Sequence, residues 1–148
     1  MNEYWFYDTS SLLLDADNLF TEGHAPVIIS TVTLDELEKL KTSNSKDIDT
    51  KIAAEYLIRK LKENIGKYTV WIFNVNMLDP IIDRDLEITA DMKILGSALD
   101  YDKKVHPDET IFITNDLSLF NIANTFFGQD SIRMIEIQED DYSGYKEV

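Results

Sequence analysis

Four carboxylates in this chain stand where a reaction centre would need them: Asp8 in "FYDTSS", Glu36 in "TLDELEK", Asp91 in "TADMKI" and Asp116 in "TNDLSLF". Oxygen ligands with no His or Cys among them suit a hard divalent cation, Mg²⁺ or Mn²⁺. Held by such acids, one or two ions lower the pKa of a bound water, align it with a phosphodiester and offset charge on the leaving oxygen. Thr9, Ser10, Asn115 and Ser118 flank the acids and would orient bound waters, although Ser and Asn serve equally often as capping and turn residues. Taken singly, each acid also reads as helix punctuation. Residues 33 to 36 fit a capping box, Asp8 and Asp116 fit N-caps, and Asp91 fits a first-turn acid behind a Thr89 cap. Capping does not account for convergence, because four acids on one rim repel one another unless a cation lies among them.

The rim follows from the elements that carry the acids. Five short runs read as strands: "YWFY" (4 to 7), "PVIIS" (26 to 30), "TVWIFN" (69 to 74), "TIFIT" (110 to 114) and "IRMIEI" (132 to 137). They are β-branched, aromatic and nearly continuous in apolar character, as strands covered on both faces are. Helical spacing separates them, through Leu34, Leu37 and Leu40, then Ile48, Ile52, Tyr56 or Ile58, and Leu61. The alternation predicts right-handed βαβ units and an α/β fold, a three-layer α/β/α sandwich around a mostly parallel five-stranded sheet. In such a sheet ligands bind beyond the carboxyl ends of the strands. Asp8 and Asp116 directly follow the first and fourth strands, Glu36 is expected in the first helical turn after the second, and Asp91 opens the helix after the third. Residues 75 to 88 read as an irregular, mobile loop. Residues 1 to 137 are expected to form one domain and 138 to 148 a polar tail or linker.

Composition narrows the class. With no cysteine there is neither a disulfide framework nor a thiolate zinc site, and His24 and His106 lack ligand spacing and read as loop histidines. No apolar run reaches a membrane span and the start "MNEYWFYD" lacks signal-peptide character, so a cytoplasmic location without membrane contact is expected. The formal charge of −14 opposes broad electrostatic binding to nucleic acid. Residues 39 to 67 are the exception: they hold eight of the 14 basic residues and four acids, a net +4 against −18 for the remainder. That segment, with Lys39, Lys41 and Lys46, is the candidate RNA-facing surface, and a solvated helix surface is the plainer reading.

The stretches "FYDTSSLLL", "VIISTVTLDELEKLK", "TADMKILGSAL" and "IFITNDLSLFNIA" resemble, in order and spacing over nearly the whole chain, the PIN domain, a metal-dependent nuclease fold. With "DTSSLLLDADNLF", "KIAAEYLIRKL" and the tail "YSGYKEV", the resemblance is nearest to the PIN domain at the N-terminus of PhoH-type ATPases. It implies that Asp8, Glu36, Asp91 and Asp116 occupy the family's four acidic positions and that the activity is Mg²⁺- or Mn²⁺-dependent cleavage of single-stranded RNA. It further implies a homo-oligomer and a downstream P-loop ATPase domain or partner, whose GxxxxGK[ST] signature does not occur in this chain. PhoH-type domains tend to carry a basic residue in the helix after "TND", where this chain has "LSLFNIANTFF". That helix carries Phe120, Phe126 and Phe127, enough aromatic surface to favour self-association unless all three belong to the core. A catalytically weak PIN-fold binding or assembly module is the alternative. A receiver domain would need an acid pair after the first strand, a phosphate-accepting Asp after the third and a late lysine. A haloacid-dehalogenase-type phosphatase would need a second acid two residues after Asp8, where Ser10 stands.

Overall fold

The structure, a computed structural model, describes residues 2–44, 47–105 and 109–135. Five parallel strands, β1 (Glu3–Tyr7), β2 (Val27–Ser30), β3 (Thr69–Trp71), β4 (Glu109–Ile113) and β5 (Ile132–Arg133), lie in the order β3-β2-β1-β4-β5. The connections run outward from β1 in both directions, so the strand order reverses between β1 and β4, where Tyr7 pairs with Ile113. Among the described residues six α-helices cover the sheet: α1 (Thr9–Leu14), α2 (Thr31–Thr42), α3 (Ile48–Glu63), α4 (Asp79–Asp83), α5 (Ala90–Val105) and α6 (Leu117–Phe127).

Strand alternation divides the core into two halves. Phe6, Ile28 and Phe112 face Ile81 of α4, Ile94, Leu95 and Ala98 of α5, and Leu119 and Ala123 of α6. Tyr7, Ile29, Ile111 and Ile113 face Leu12 of α1, Leu37 of α2, and Leu57, Ile58 and Leu61 of α3. Burying each such side chain contributes about 1.5–3 kcal/mol, and coverage of both faces explains why the strands read as continuous apolar runs. This is the expected three-layer sandwich, with every strand pair parallel.

Several local expectations give way to packing. The strand runs at 69 to 74 and 132 to 137 pair only over Thr69–Trp71 and Ile132–Arg133; both are sheet edges, and residues 136 and 137 lie outside the described residues, as do the expected tail and His106. The expected irregular loop at 75 to 88 is regular over its first part: a 3₁₀ turn, Val75–Leu78, leads into α4, which buries Ile81, and residues 84 to 88 follow as turn and coil. Gly96 makes this possible, since a Cβ there would stand 2.5 Å from the carbonyl oxygen of Met77. In α3 the buried stripe is Ala54, Leu57, Ile58 and Leu61, whereas Ile48, Ile52 and Tyr56 are exposed. The expected stripe therefore faces outward over the first two turns. Phe120, Phe126 and Phe127 are half-buried against the core rather than free; Phe127 stacks on Phe112 and Phe126 carries the Arg84 guanidinium.

His24 is not a plain loop residue. Its Nε2 lies 3.0 Å from the Tyr7 hydroxyl, which itself donates to Asp15 Oδ2 at 2.5 Å, and its Nδ1 lies 2.6 Å from the Ala25 carbonyl oxygen. The Tyr7 proton is committed to Asp15, so both ring nitrogens face acceptors and the site accommodates imidazolium. The hydrogen bond with Asp15 raises the His24 pKa against the opposing effect of burial. Burial alone would raise that of Asp15, but hydrogen bonds from His24, Tyr7 and Asn18 bring it below the usual value.

Candidate functional site

Asp8 ends β1 and is 1 % exposed, a burial that a carboxylate tolerates only with full hydrogen bonding. Its Oδ1 accepts from the Ser11 N–H at 2.9 Å and the Ser11 hydroxyl at 2.5 Å, and its Oδ2 accepts from Thr114 Oγ1 at 2.5 Å. The main chain holds the same seam, with Asp8 N–H donating to the Ile113 carbonyl at 3.0 Å. Asp8 is thus the N-cap of α1 and also a carboxylate fixed at the strand-order reversal.

Glu36 departs from expectation. The N-cap of α2 is Ser30, whose Oγ accepts from Val32 N–H, so residues 33 to 36 form no capping box and Glu36 lies in the second turn. Its Oε1 accepts from Thr9 Oγ1 at 2.5 Å, and Thr9 is itself 3.2 Å from Thr33 Oγ1. Capping therefore gives no account of Glu36, whereas a rim position beside Asp8 does. Asp91 is in the first turn of α5 behind Thr89, whose hydroxyl accepts from Met92 N–H at 3.2 Å. The buried Ser30–Ser97 hydroxyl pair, 3.0 Å apart, ties α5 to the end of β2. Asp116 caps α6 through Leu119 N–H at 2.8 Å and is held in turn by Thr114 Oγ1, which accepts from Asp116 N–H at 3.1 Å.

Electrostatics joins the four. Partial burial, then the negative charges of Asp8, Glu36 and Asp116, push the Asp91 pKa from 3.8 up to about 6. Three acids from three other crossovers thus act on one carboxyl at the carboxyl ends of the strands. Asp91, Asp116, Thr89 and Ser118 also line a cavity of about 340 Å³.

The donor set, oxygen only and mutually repelling, fits a hard divalent cation in charge and chemistry. The acids form an open rim rather than a closed cage: among the described residues, no three acids or histidines gather into a ready metal-binding group.

The flanking residues divide. Thr9 grips Glu36, and Ser118 faces the cavity. Ser10 is exposed, with its Oγ 3.5 Å from Asp8 Oδ1, and Asn115 serves the backbone by accepting from Ile135 N–H at 2.7 Å. The hydroxyls that actually hold Asp8, Ser11 and Thr114, were not singled out from the sequence; the available signal was a hydroxyl residue beside each strand-end acid, in "DTSS" and "TND". Lys39 and Lys41 lie in the last turn of α2, beyond Glu36, without a salt bridge to another described residue, and Lys46 lies outside the described residues.

Among the described residues no helix is long and apolar enough to cross a membrane. No curated protein matches the chain. A family model described as PIN domain matches residues 5–126, a span that includes all four acids. With that match over most of its length, the chain belongs to the PIN domain family, whose members are in general metal-dependent nucleases.

Proposed function

We propose that this protein is a divalent-metal-dependent ribonuclease that hydrolyses RNA phosphodiesters at the rim of Asp8, Glu36, Asp91 and Asp116. The observation that carries this reading is that Asp8, Glu36, Asp91 and Asp116 come from four successive crossovers to the carboxyl ends of the strands, close enough that burial and then the other three acids raise the Asp91 carboxyl to about 6. Asp8, Glu36, Asp91 and Asp116 would hold Mg²⁺ or Mn²⁺, which when bound supplies a water of lowered pKa and offsets charge on the leaving oxygen. The remaining chemistry belongs to the chain. Ser11 and Thr114 fix both oxygens of Asp8, and Thr9 orients Glu36, so two acids are preorganised before any ligand arrives. Lys39 and Lys41, with Lys46, are proposed to meet RNA phosphates beside the rim.

The PhoH-type relation, with a downstream P-loop ATPase as partner and a homo-oligomeric state, is part of this proposal; the stretches "DTSSLLLDADNLF", "KIAAEYLIRKL" and "YSGYKEV" support it. A non-catalytic binding or assembly module is favoured by one observation, the open spacing of the acids. The deciding experiment is incubation with labelled single-stranded RNA and Mn²⁺ beside the same protein in EDTA, with Asp8→Asn controlling for contaminating nuclease. Cleavage in Mn²⁺ that is lost in both EDTA and the variant supports the ribonuclease. Cleavage that survives in the variant, or none by the wild type, removes it.

A further inference from the structure

The cavity lined by Asp91 and Asp116 is not acidic throughout. Leu86, Met92, Leu119 and Ile122 supply apolar lining, and Glu87 and Ser118 line it as well. Glu87 makes no hydrogen bond or salt bridge with any other described residue, so its two oxygens are open acceptors. The segment that carries it is held in place. Asp85 adopts φ 56, a left-handed conformation that closes the end of α4, and Leu86 N–H donates to the Ile81 carbonyl at 3.3 Å. Next to it, the Arg84 guanidinium lies 3.6 Å from the centre of the Phe126 ring and donates to Thr125, pinning the turn to α6. The cavity is therefore formed before any ligand enters, and about 340 Å³ is in the range of small-molecule sites.

We infer that this cavity is a nucleobase subsite, in which a guanine adjacent to the cleaved phosphodiester is read by the Glu87 carboxylate; the inference rests on the ribonuclease reading. Charge decides which part of an RNA enters. The lining holds no cationic side chain, so apart from a cation on the rim acids it offers a phosphate no partner and sets the Glu87 charge against it, whereas a base presents a flat apolar body and a polar edge. A carboxylate accepts only, and it accepts best from two parallel donors. Of the four bases only guanine offers adjacent N–H groups on one edge, at N1 and the exocyclic amine. Adenine and cytosine set one amine beside an acceptor nitrogen, and uracil sets one N–H between two carbonyls. The apolar lining packs the ring, and Ser118 is free to pair with a base carbonyl or ring nitrogen.

Neutral nucleosides test the cavity apart from both phosphate repulsion and cleavage. Guanosine, adenosine, cytidine and uridine are titrated in EDTA against the full chain, followed by amide and methyl chemical shifts. Guanosine is expected to bind at least about fivefold more tightly than the others, the least that a bidentate base contact confers. Its shifts should fall on Leu86, Leu119 and Ile122. Glu87→Gln, an exposed substitution, is expected to reduce guanosine to the level of the other three, and Ile122→Phe, which fills the cavity, to weaken it with the melting temperature as a folding control. Guanosine binding no better than that of the other nucleosides, absence of binding included, overturns the inference, as does a guanosine preference that survives Glu87→Gln. Cleavage of nonamer RNAs with and without one guanine, in Mn²⁺, is scored separately. Cleavage without base preference removes the subsite and leaves the ribonuclease, while guanosine selectivity without cleavage removes the ribonuclease and leaves the base pocket.

Discussion

Thr114, at the end of β4, gives its hydroxyl proton to Oδ2 of Asp8, at the end of β1, over 2.5 Å and across the point where the strand order reverses. The same Thr114 oxygen accepts from the backbone N–H of Asp116 at 3.1 Å, so one hydroxyl sets the position of two rim acids. Thr114→Val keeps the shape and removes both bonds. It is expected to cost about 1–3 kcal/mol in urea unfolding, because a buried Asp8 oxygen loses its donor. Cleavage should fall about 10–100-fold, as for the loss of a residue that orients a ligand, and Thr114→Ser should restore most of it. Full activity in a destabilised Thr114→Val protein would restrict Thr114 to a structural role.

Asp91 carries a pH signature. Its folded pKa of about 6 exceeds the ordinary 3.8, so between these values the folded protein holds a proton that the unfolded chain has released. Stability in EDTA should therefore fall as pH rises from about 4 to 6, by well under the ~3 kcal/mol of a fully buried group because solvent screens the half-exposed carboxyl, with the loss complete above that window. Asp91→Asn should flatten this part of the profile and melt higher than wild type at pH 7. Thermal melts across pH 4 to 8 read both effects, and parallel wild-type and variant profiles would show that the rim charges do not act on Asp91.

Asp116 both caps α6 and belongs to the rim, so the two roles separate by measurement. Asp116→Asn retains an oxygen for Leu119 N–H and should cost no more than about 1 kcal/mol as a cap. Removing a like charge opposes that cost, and in EDTA the variant is expected to melt above wild type. Mn²⁺ should raise the wild-type melting temperature by linkage, move the variant much less, and leave its RNA cleavage at background. A wild-type melt indifferent to Mn²⁺ and EDTA alike would take the cation out of the rim.

The Tyr7–Asp15–His24 group predicts a second pH dependence, separate from that of Asp91. The His24 pKa is raised on folding, so its contribution is fully present below the unfolded value of 6.5 and is lost as pH rises through the folded one. Asp15 is lowered, so its contribution is present above 3.8 and lost as pH falls through the folded value. His24→Gln should therefore destabilise the protein more at pH 6 than at pH 9 in denaturant titrations. An equal loss at both would mean that the imidazole is neutral when folded.

Lys39→Glu with Lys41→Glu places two reversed charges in the last turn of α2, beyond Glu36. If this turn meets RNA phosphates, affinity should fall and the dependence of log affinity on log salt should become shallower, by about 0.7 for each phosphate of single-stranded RNA that is no longer neutralised. Fluorescence anisotropy between low and moderate salt measures both. An unchanged slope would leave the basic segment as solvated helix surface.

The sequence alone determined the layers and the carriers of the acids. Apolar strand runs and the helical segments between them specify a parallel sheet covered on both faces, because a strand buried on both sides admits no polar alternation. The acids at 8 and 116 were legible for the same reason, since a strand must end where its apolar run ends. Pairings between distant segments were not legible. The hydroxyl that holds Asp8 is 106 residues away, and Glu36 is explained by Thr9, 27 residues earlier, rather than by the local capping pattern that its own neighbourhood suggests. In α3, Ile48, Ile52 and Tyr56 match helical spacing as well as Ala54, Leu57, Ile58 and Leu61 do, and only the sheet against which the helix lies selects the buried stripe. His24 shows no motif because its partners are a strand tyrosine and a turn aspartate brought together by folding. The turn ending α4 looks like loop in sequence, yet Gly96 lets α5 close on the main chain at Met77, and Arg84 locks the turn onto Phe126. Periodicity reports which face a local segment can bury, whereas the pairing of a carboxylate with its donor depends on which strands the chain sets side by side, and that is decided by tertiary packing.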